Sequence, residues 1–284
     1  MAIADVLESL GARVPSGQLS VDYTLYRPND VPPDWVAAPS PARGAEPPLV
    51  SCLMVTKGDR FTIKYALACY QAQTHRRREL VVIVDRIGAE FVENLLDEAG
   101  IDSARVYQGW PGQTLGELRN LAVQHARGDI LIQWDDDDLC DPLRIKASVD
   151  ILTRLPAVAV LQGRLLLWWP ARELAAISSR RFWEGTIAVW RAHAPTYPNL
   201  RRGEDTPGVQ QVAHSQQVAL ADAPLLYVYA ITQANTWHRE HFNGLFAAAE
   251  RRIEGDDYRA LIRLLAKRLP IEAYEREARD LAAR

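Results

Sequence analysis

The segment 130–143, ILIQWDDDDLCDPL, constrains the fold more than any other part of the chain. Its apolar start leads into four consecutive aspartates at positions 135–138, and a proline follows at position 142. This pattern predicts a buried strand that ends abruptly, with the acids at its carboxyl end. Four adjacent carboxylates repel one another, so we expect a positive charge beside them. Hard divalent cations such as Mg or Mn, which take oxygen ligands, fit this position.

The four acids divide into two pairs on an extended backbone. Asp135 and Asp137 share one face of the strand end, and Asp136 and Asp138 share the other. One pair can therefore serve a ligand while the other braces the turn. The alternative is a solvated acidic turn in which Asp138 or Asp141 caps a helix that begins near position 142.

Composition excludes several classes of function. The chain has 284 residues and a formal net charge of -3, whereas a protein that binds nucleic acid through its bulk charge is basic. Its three cysteines, Cys52, Cys69 and Cys140, lack the spacing of a metal site and favour a reducing compartment. No signal peptide and no apolar run of the ~20 residues that span a bilayer is found, so we expect a cytoplasmic protein.

Strands alternate with helices from position 49 onward. This alternation predicts an α/β fold with a mostly parallel sheet. Parallel sheets bind ligands at the carboxyl ends of their strands, so Thr56 with Lys57, Asp85 and the acidic run should meet at one rim. The expected strands are 49–55, 79–84, 104–108 and 130–134, and the expected helices are 61–71, 89–99, 114–126 and 142–155.

Outside this core the pattern is less regular. Residues 1–46 form an appendage, with a helix at 2–10 followed by a Pro-rich connector. Strands are expected at 159–168 and 225–231, with a turn-rich run, RRGEDTPG, at 201–208. Beyond position 237 the chain is expected to be helical to its end. The basic face of the last helices packs on the body or on a second copy in a homodimer, or contacts a membrane surface peripherally.

Five short motifs occur in the order typical of one known family: PLVSCLMVTKGDR, the pair Gln73 and Thr74, ELVVIVD, LGELRNLAVQHARGD and WDDDDLCDP. Together they resemble the inverting family 2 glycosyltransferases of the GT-A fold. The resemblance covers residues 49–155 well and extends loosely to position 241. It implies a Rossmann-like sheet flanked by helices, with a nucleotide half at 47–155, an acceptor half at 156–241 and a helical C-terminal extension at 242–284.

The resemblance also implies roles for single residues in donor binding. Thr56 and Asp85 match positions that hold the base and ribose of a nucleotide-sugar donor, and Arg119 matches an arginine that helps hold the nucleotide. Lys57 stands where the family usually has an aromatic residue, and it could reach a phosphate instead. The positions expected to contact the donor are Thr56, Lys57, Asp85, Arg119, Asp135 and Asp136.

For the metal, the resemblance implies that Asp137 binds the Mn or Mg ion that bridges the donor diphosphate. The aspartate run leaves a one-residue ambiguity, and Asp138 is the second choice of ligand. Relatives carry a histidine just before the Asn-Thr-Trp that is found here at 235–237. That place holds Thr232 and Gln233 in this chain, so the imidazole expected to complete the metal shell is His238, with His241 as the alternative.

Glu204 and Asp205 resemble the Glu-Asp pair on the acceptor side of the family. An inverting transfer needs one carboxylate to take the proton of the acceptor hydroxyl, and Asp205 is the expected base, with Glu204 in support. The alternative is an exposed acidic turn between Gly203 and Pro207. The resemblance places Trp183 with its next two neighbours at the acceptor site.

The whole pattern predicts a metal-dependent inverting glycosyltransferase. It would move a sugar from a nucleotide diphosphate donor, with UDP favoured, to a hydroxyl of a glycan or lipid-linked acceptor in bacterial polysaccharide synthesis. Two alternatives stay open: a sugar nucleotidyltransferase, and a non-catalytic module that binds nucleotide sugars. The enzyme hypothesis requires Asp85, Asp137 and Asp205 to open onto one cavity.

Overall fold

A computed structural model describes residues 21–28, 46–86, 88–233 and 235–282. The expected helix at 2–10 and most of the Pro-rich connector lie outside these residues.

Strands and helices alternate through the first half, as the sequence predicts. The strands are β1 (Asp22–Tyr26), β2 (Val50–Thr56), β3 (Arg78–Val84), β4 (Ala104–Gln108), β5 (Ile130–Gln133), β6 (Leu139–Cys140), β7 (Ala159–Gln162), β8 (Leu166–Trp169), β9 (Leu174–Ile177), β10 (Trp183–Trp190), β11 (Val218–Asp222), β12 (Tyr227–Ala230) and β13 (Arg251–Ile253). The helices are α1 (Arg60–Gln71), α2 (Ala89–Glu98), α3 (Leu115–His125), α4 (Arg144–Arg154), α5 (Asp205–Ser215), α6 (Arg239–Ala247), α7 (Gly255–Leu265) and α8 (Ile271–Ala282).

The larger sheet has eight strands in the order β1-β11-β7-β10-β5-β2-β3-β4. Its last four strands, β5-β2-β3-β4, are parallel to one another. Strands β2, β3 and β5 are apolar along almost their whole length because helices or other elements cover both faces. Their carboxyl ends therefore meet at one rim, and the predicted α/β architecture is confirmed.

The second half of this sheet is mixed. Strand β10 runs antiparallel between β5 and β7, so the aromatic stretch near position 183 is a central strand. The N-terminal appendage contributes β1, an exposed strand that pairs antiparallel with β11 at the sheet edge. The sequence pattern did not predict this strand.

The expected strand at 159–168 is two strands in two different sheets. β7 belongs to the larger sheet, and β8 belongs to a second sheet of five strands with the order β13-β9-β8-β12-β6. The chain turns at Gly163, whose amide donates to the carbonyl oxygen of Ala221 at 2.7 Å. Because β6 directly follows the acidic run, the aspartates lie in a loop whose two ends are fixed in different sheets.

The C-terminal part is helical apart from β13, which pairs with β9. Helix α7 buries the apolar stripe that the sequence predicts, including Tyr258 and Leu261, while Arg259 and Arg263 on its other face are exposed. Within the described ranges, no helix combines the length and apolar character needed to cross a bilayer.

Candidate active site

A cavity of about 750 Å³ opens at the rim where β2, β3 and β5 end. Asp85, Asp137 and Asp205 all line it, so the three carboxylates that the hypothesis requires lie around one space. The other expected site residues in its lining are Thr56, Lys57, Arg119, Asp135, Asp136, Asp138 and Glu204.

The turn after β2 brings the donor-side residues to the rim. Gly58 has a φ of +89°, a value that side-chain-bearing residues rarely adopt, and its amide donates to Thr56 Oγ1 at 3.0 Å. Asp59 then caps helix α1 by accepting hydrogen bonds from the amides of Phe61 and Thr62. This tight cap leaves Lys57 on the exposed side of the turn.

Two of the four aspartates join the loop to the neighbouring strands β2 and β12. Asp138 is buried and accepts hydrogen bonds from Tyr227 Oη and from the amide of Ala230, at 2.5 and 2.9 Å. Asp136 accepts a hydrogen bond from Thr56 Oγ1. Asp138 therefore braces the loop against β12 and also lines the cavity, and its choice as a second metal ligand stays a prediction. Thr56 and Asp136, both expected at the donor, contact each other.

The other two aspartates, Asp135 and Asp137, also line the cavity and have protein partners. Asp137 accepts from Asn235 Nδ2 at 2.9 Å, and Asp135 accepts from Arg119 and Gln133. Gly185 leaves the space for Asp135, since a Cβ there would come within 3.1 Å of the Asp135 carboxylate. The expected division into a bracing pair and a ligand-binding pair stays a prediction.

Burial raises the pKa values of Asp136, Asp137 and Asp138, and repulsion from neighbouring aspartates raises them further. A divalent cation would relieve this repulsion, and hard carboxylate oxygens suit Mn or Mg. No group of three His, Cys, Asp or Glu side chains able to hold a metal occurs among the described residues. Mg usually takes one or two carboxylates and completes its shell with substrate phosphates, so Asp137 and Asp135 fit a site shared with a donor.

Arg119 joins the two acidic runs. Its Nε donates to Glu204 Oε1 at 2.5 Å and its Nη2 lies 3.2 Å from Asp135 Oδ1. Glu204 is 1% exposed, which contradicts the alternative of an exposed acidic turn. The next residue, Asn120, donates to and accepts from the backbone of Tyr197, and so fixes the segment that leads to Glu204.

Asp205 lies half-buried at the first position of helix α5, where the sequence predicted a turn. Its Oδ1 accepts from the amide of Thr206 at 2.9 Å. Burial raises its pKa to about 6; Arg119 lowers this pKa, and the charges of Glu204 and nearby carboxylates raise it. The group is thus largely ionised at neutral pH and binds a proton more readily than an ordinary aspartate.

The two histidines lie differently. His238 is exposed at the N-cap of α6 and is not part of the cavity lining, so its choice as a metal ligand stays a prediction that the cavity does not support. His241, one helical turn later, lines the cavity and stacks on Trp237 with ring centroids 4.5 Å apart. Burial lowers the pKa of its imidazole.

Sequence reasoning missed several residues that hold the acidic loop. Arg144 is buried, donates to the carbonyl oxygen of Gln133 at 2.7 Å, and lies over the rings of Trp134 and Tyr227. An arginine two residues after Pro142, in an otherwise apolar helix face, was the available signal.

The Gln73 and Thr74 pair has a similar bracing role. Gln73 Nε2 donates to the carbonyl oxygen of Asp141 at 2.8 Å, and its Oε1 accepts from the amide of Ile145 at 3.1 Å. Thr74 donates its amide to the carbonyl oxygen of Pro142 at 2.9 Å. This motif therefore joins the end of α1 to the segment that follows the aspartates.

Comparison with known proteins gives a family match and a shared fold. The Glycosyl transferase family 2 profile matches residues 51–167. Among solved structures, S. aureus TarS 1-349 in complex with UDP-GlcNAc is 15% identical, with 69% of this chain and 64% of that chain covered and a TM-score of 0.54. Mannosyltransferase PcManGT from Pyrobaculum calidifontis, in complex with GDP-Man and Mn2+, is 16% identical over 72% and 62%, with a TM-score of 0.55.

GalNAc-T7 with UDP, GalNAc and Mn2+ is 13% identical over 65% of this chain and 44% of that chain, with a TM-score of 0.52. The chain thus spans less than two thirds of the length of these three solved chains. No curated protein matches the sequence. These identities are low enough that the structures establish the fold alone. The chain has the GT-A fold, and its residues 51–167 match the Glycosyl transferase family 2 profile.

Proposed function

We propose that this chain transfers a sugar from a nucleotide diphosphate sugar to an acceptor hydroxyl, with inversion at the anomeric carbon and with a divalent cation. The observation that carries the proposal is that Asp85, Asp137 and Asp205 open onto the same cavity. The cavity volume of about 750 Å³ lies within the range of small-molecule sites.

The donor would lie along the rim of β2 and β3. Asp85, at the end of β3, can accept hydrogen bonds from ribose hydroxyls or a base N–H. The related structures were solved with UDP-GlcNAc in TarS and with GDP-Man in PcManGT, which supports a nucleotide-sugar donor. UDP is the nucleotide that we favour.

Asp205 would act as the general base. With a pKa of about 6 it is mostly unprotonated at pH 7, yet basic enough to accept the acceptor's proton as that oxygen attacks. The new bond forms between the acceptor oxygen and the anomeric carbon while the bond from that carbon to the diphosphate oxygen breaks. The electron pair leaves with the diphosphate, and the proton goes to Asp205.

Asp137, with Asp135 beside it, would hold Mn or Mg. When bound, the ion neutralises charge on the departing diphosphate. Arg119 holds Asp135 in position and pairs with Glu204, which fixes the residue next to the base. The PcManGT and GalNAc-T7 structures contain Mn2+, which supports this assignment by likeness of fold.

The acceptor would be a glycan or a lipid-linked glycan in bacterial polysaccharide synthesis, with the reaction in the cytoplasm. It would enter along the side of the cavity that Trp183 and Tyr229 line. Aromatic rings at this wall can lie against sugar faces.

The test is incubation of the purified chain with a panel of nucleotide sugars, with Mn and with EDTA. Transfer or slow hydrolysis should release a nucleoside diphosphate only with Mn, and NMR of the first-formed sugar product should show the inverted anomer. Asp205→Asn should abolish transfer, and Asp256→Asn, at an exposed position on α7, is the matched control. Pyrophosphate release from a nucleoside triphosphate and a sugar phosphate would indicate a nucleotidyltransferase. Binding without turnover would indicate a non-catalytic module.

A further inference from the structure

The cavity is lined by cations as well as carboxylates, and three of its six lysine and arginine side chains form ion pairs among the described residues. Arg86 lies 3.2 Å from Asp85, Arg181 lies 2.8 Å from Glu184, and Arg119 is paired as described above. These three arginines are neutralised by the protein itself.

Lys57 and Arg202 differ from them. Within the described part of the chain, neither forms an ion pair with a carboxylate, although both line the cavity. Both instead contact Thr236: Lys57 Nζ donates to Thr236 Oγ1 at 3.2 Å, and Arg202 Nη1 donates to the carbonyl oxygen of Thr236 at 3.4 Å. Two uncompensated positive charges from distant parts of the sequence therefore converge on one residue.

Arg202 is held in this place by its neighbours. Its guanidinium lies over the ring of Trp237 at 4.6 Å, and Trp237 stacks on His241. The chain reaches this position through Gly203, whose φ of +69° favours glycine. The cation is oriented by aromatic contact instead of by a counter-ion.

The pair lies next to the carboxylate proposed to face the diphosphate. Asn235, directly before Thr236, donates to Asp137 at 2.9 Å. Lys57 follows β2 on the nucleotide side, whereas Arg202 precedes α5 and the proposed base on the acceptor side. A ligand bound by both cations would therefore lie where the two halves of the site meet.

The local electrostatics favour an anion at this wall. Burial lowers the pKa of His241, and the positive charges of Arg181 and Arg202 lower it further. Because Arg181 is paired with Glu184, the positive charge left beside this imidazole is that of Arg202. A phosphate oxygen is well suited to it because charge-assisted hydrogen bonds to Lys and Arg are strong.

We propose that Lys57 and Arg202, brought together at Thr236, form a phosphate-binding pair at the junction of the nucleotide and acceptor sides. The inference deepens the proposed function and rests on it for the origin of the phosphate. That phosphate is either part of the donor diphosphate or an ester on the acceptor.

The test is calorimetric titration in EDTA, so that protein cations alone hold the phosphate. The probes are UDP, uridine, inorganic pyrophosphate and glucose 6-phosphate. The variants are Lys57→Gln and Arg202→Gln, and the matched controls are the exposed Lys267→Gln and Arg263→Gln, which lie outside the cavity lining. Loss of one charge-assisted hydrogen bond should weaken phosphate binding by about tenfold, and the double variant by more.

Each outcome decides the proposal. Weaker binding of UDP and pyrophosphate with unchanged uridine binding supports it and assigns the pair to the donor. Weaker binding of glucose 6-phosphate alone supports it and assigns the pair to an acceptor phosphate. Unchanged binding of every phosphate probe, equal loss for uridine, or no binding of these probes by the native chain overturns it.

Thr236 supplies a second test of geometry. Thr236→Val removes the hydroxyl that holds Lys57 and should weaken phosphate binding, while Thr236→Ser should restore it. Because these are binding measurements, they do not depend on turnover. A chain that binds phosphate through the pair but transfers no sugar would contradict the proposed function and leave this inference standing.

Discussion

The site has two acidic runs, residues 135–138 and the pair Glu204 and Asp205. Both runs combine a buried carboxylate with a more exposed neighbour. In each run one carboxylate is satisfied by the protein: Asp138 by Tyr227 and a backbone amide, Glu204 by Arg119. Its neighbour in sequence faces the cavity.

This comparison shows that the residue type does not set the role of an acid. Asp137 and Asp138 are adjacent and chemically identical, but the loop gives them different partners: Asn235 for Asp137, and Tyr227 with the Ala230 amide for Asp138. Glu204 is the N-cap of α5 and is buried against Arg119, whereas Asp205 is the first residue of the helix and is half-buried. The predictions below test whether the satisfied and the cavity-facing acids differ as proposed.

The largest difference is expected in catalysis. Asp205→Asn should lower kcat/KM for transfer by about 1,000-fold, since the amide cannot accept the acceptor's proton. Its unfolding midpoint in urea should stay near that of the native chain. Steady-state transfer assays and urea titration check both. A variant that keeps a tenth of the activity would remove Asp205 from the role of base.

Glu204→Gln should lower the stability of the fold, which Asp205→Asn should leave nearly unchanged. It leaves the buried Arg119 with Asp135 as its remaining carboxylate partner, and we expect a loss of about 3 kcal/mol in the free energy of unfolding. Urea unfolding at pH 7 measures this. Arg60→Gln, which breaks an exposed ion pair with Glu98, should cost less than 1 kcal/mol, roughly the value of a surface pair. Equal losses in the two variants would contradict the bracing role of Glu204.

Divalent cations should separate Asp137 from Asp138. Mn at about 100 times its dissociation constant should stabilise the native chain by about 2.7 kcal/mol, because the ion binds only the folded state. Asp137→Asn should lose this gain. Asp138→Asn should have a lower free energy of unfolding without Mn, since it alters a buried hydrogen bond. At the same multiple of its dissociation constant, Mn should still stabilise this variant by most of the gain of about 2.7 kcal/mol. Thermal unfolding with and without Mn measures the difference, and loss of the gain in Asp138→Asn alone would reverse the assignment.

The smallest effect concerns pH. With the pKa of Asp205 raised to about 6, kcat/KM should be level above this pH and fall about tenfold per pH unit below it as the base becomes protonated. The charge of Glu184 contributes to this raised pKa, so Glu184→Gln should move the acidic limb to lower pH. A pH–rate profile of both proteins tests the direction. If the acidic limb of the profile does not move in Glu184→Gln, the group that titrates is not Asp205.

Much of the nucleotide half could be predicted from the sequence. The strands and helices between positions 49 and 155 lie within a few residues of their expected bounds, because uniformly apolar strands and amphipathic helices leave strong periodic patterns. Three strands that are followed by polar residues also predict a common rim, since parallel strands share their carboxyl edge.

The second half could be predicted less well. The apolar run 159–168 gave no sign that it divides between two sheets, because both strands are buried and equally apolar. The exposed strand β1 lacks the apolar pattern of a buried strand, and its pairing with β11 joins residues about 190 positions apart. Sequence spacing also could not separate His238 from His241, which differ by one turn of α6.

The sequence by itself determined the α/β architecture, the convergence of acids at one rim and the kinds of side chain available there. Only the tertiary structure decided which acid is satisfied, which faces the cavity, and that Lys57 and Arg202 meet at Thr236. The physical reason is the distance along the chain over which each effect acts. Periodicity and turn chemistry act over a few residues, whereas burial and the choice of partner depend on contacts between residues far apart in the chain.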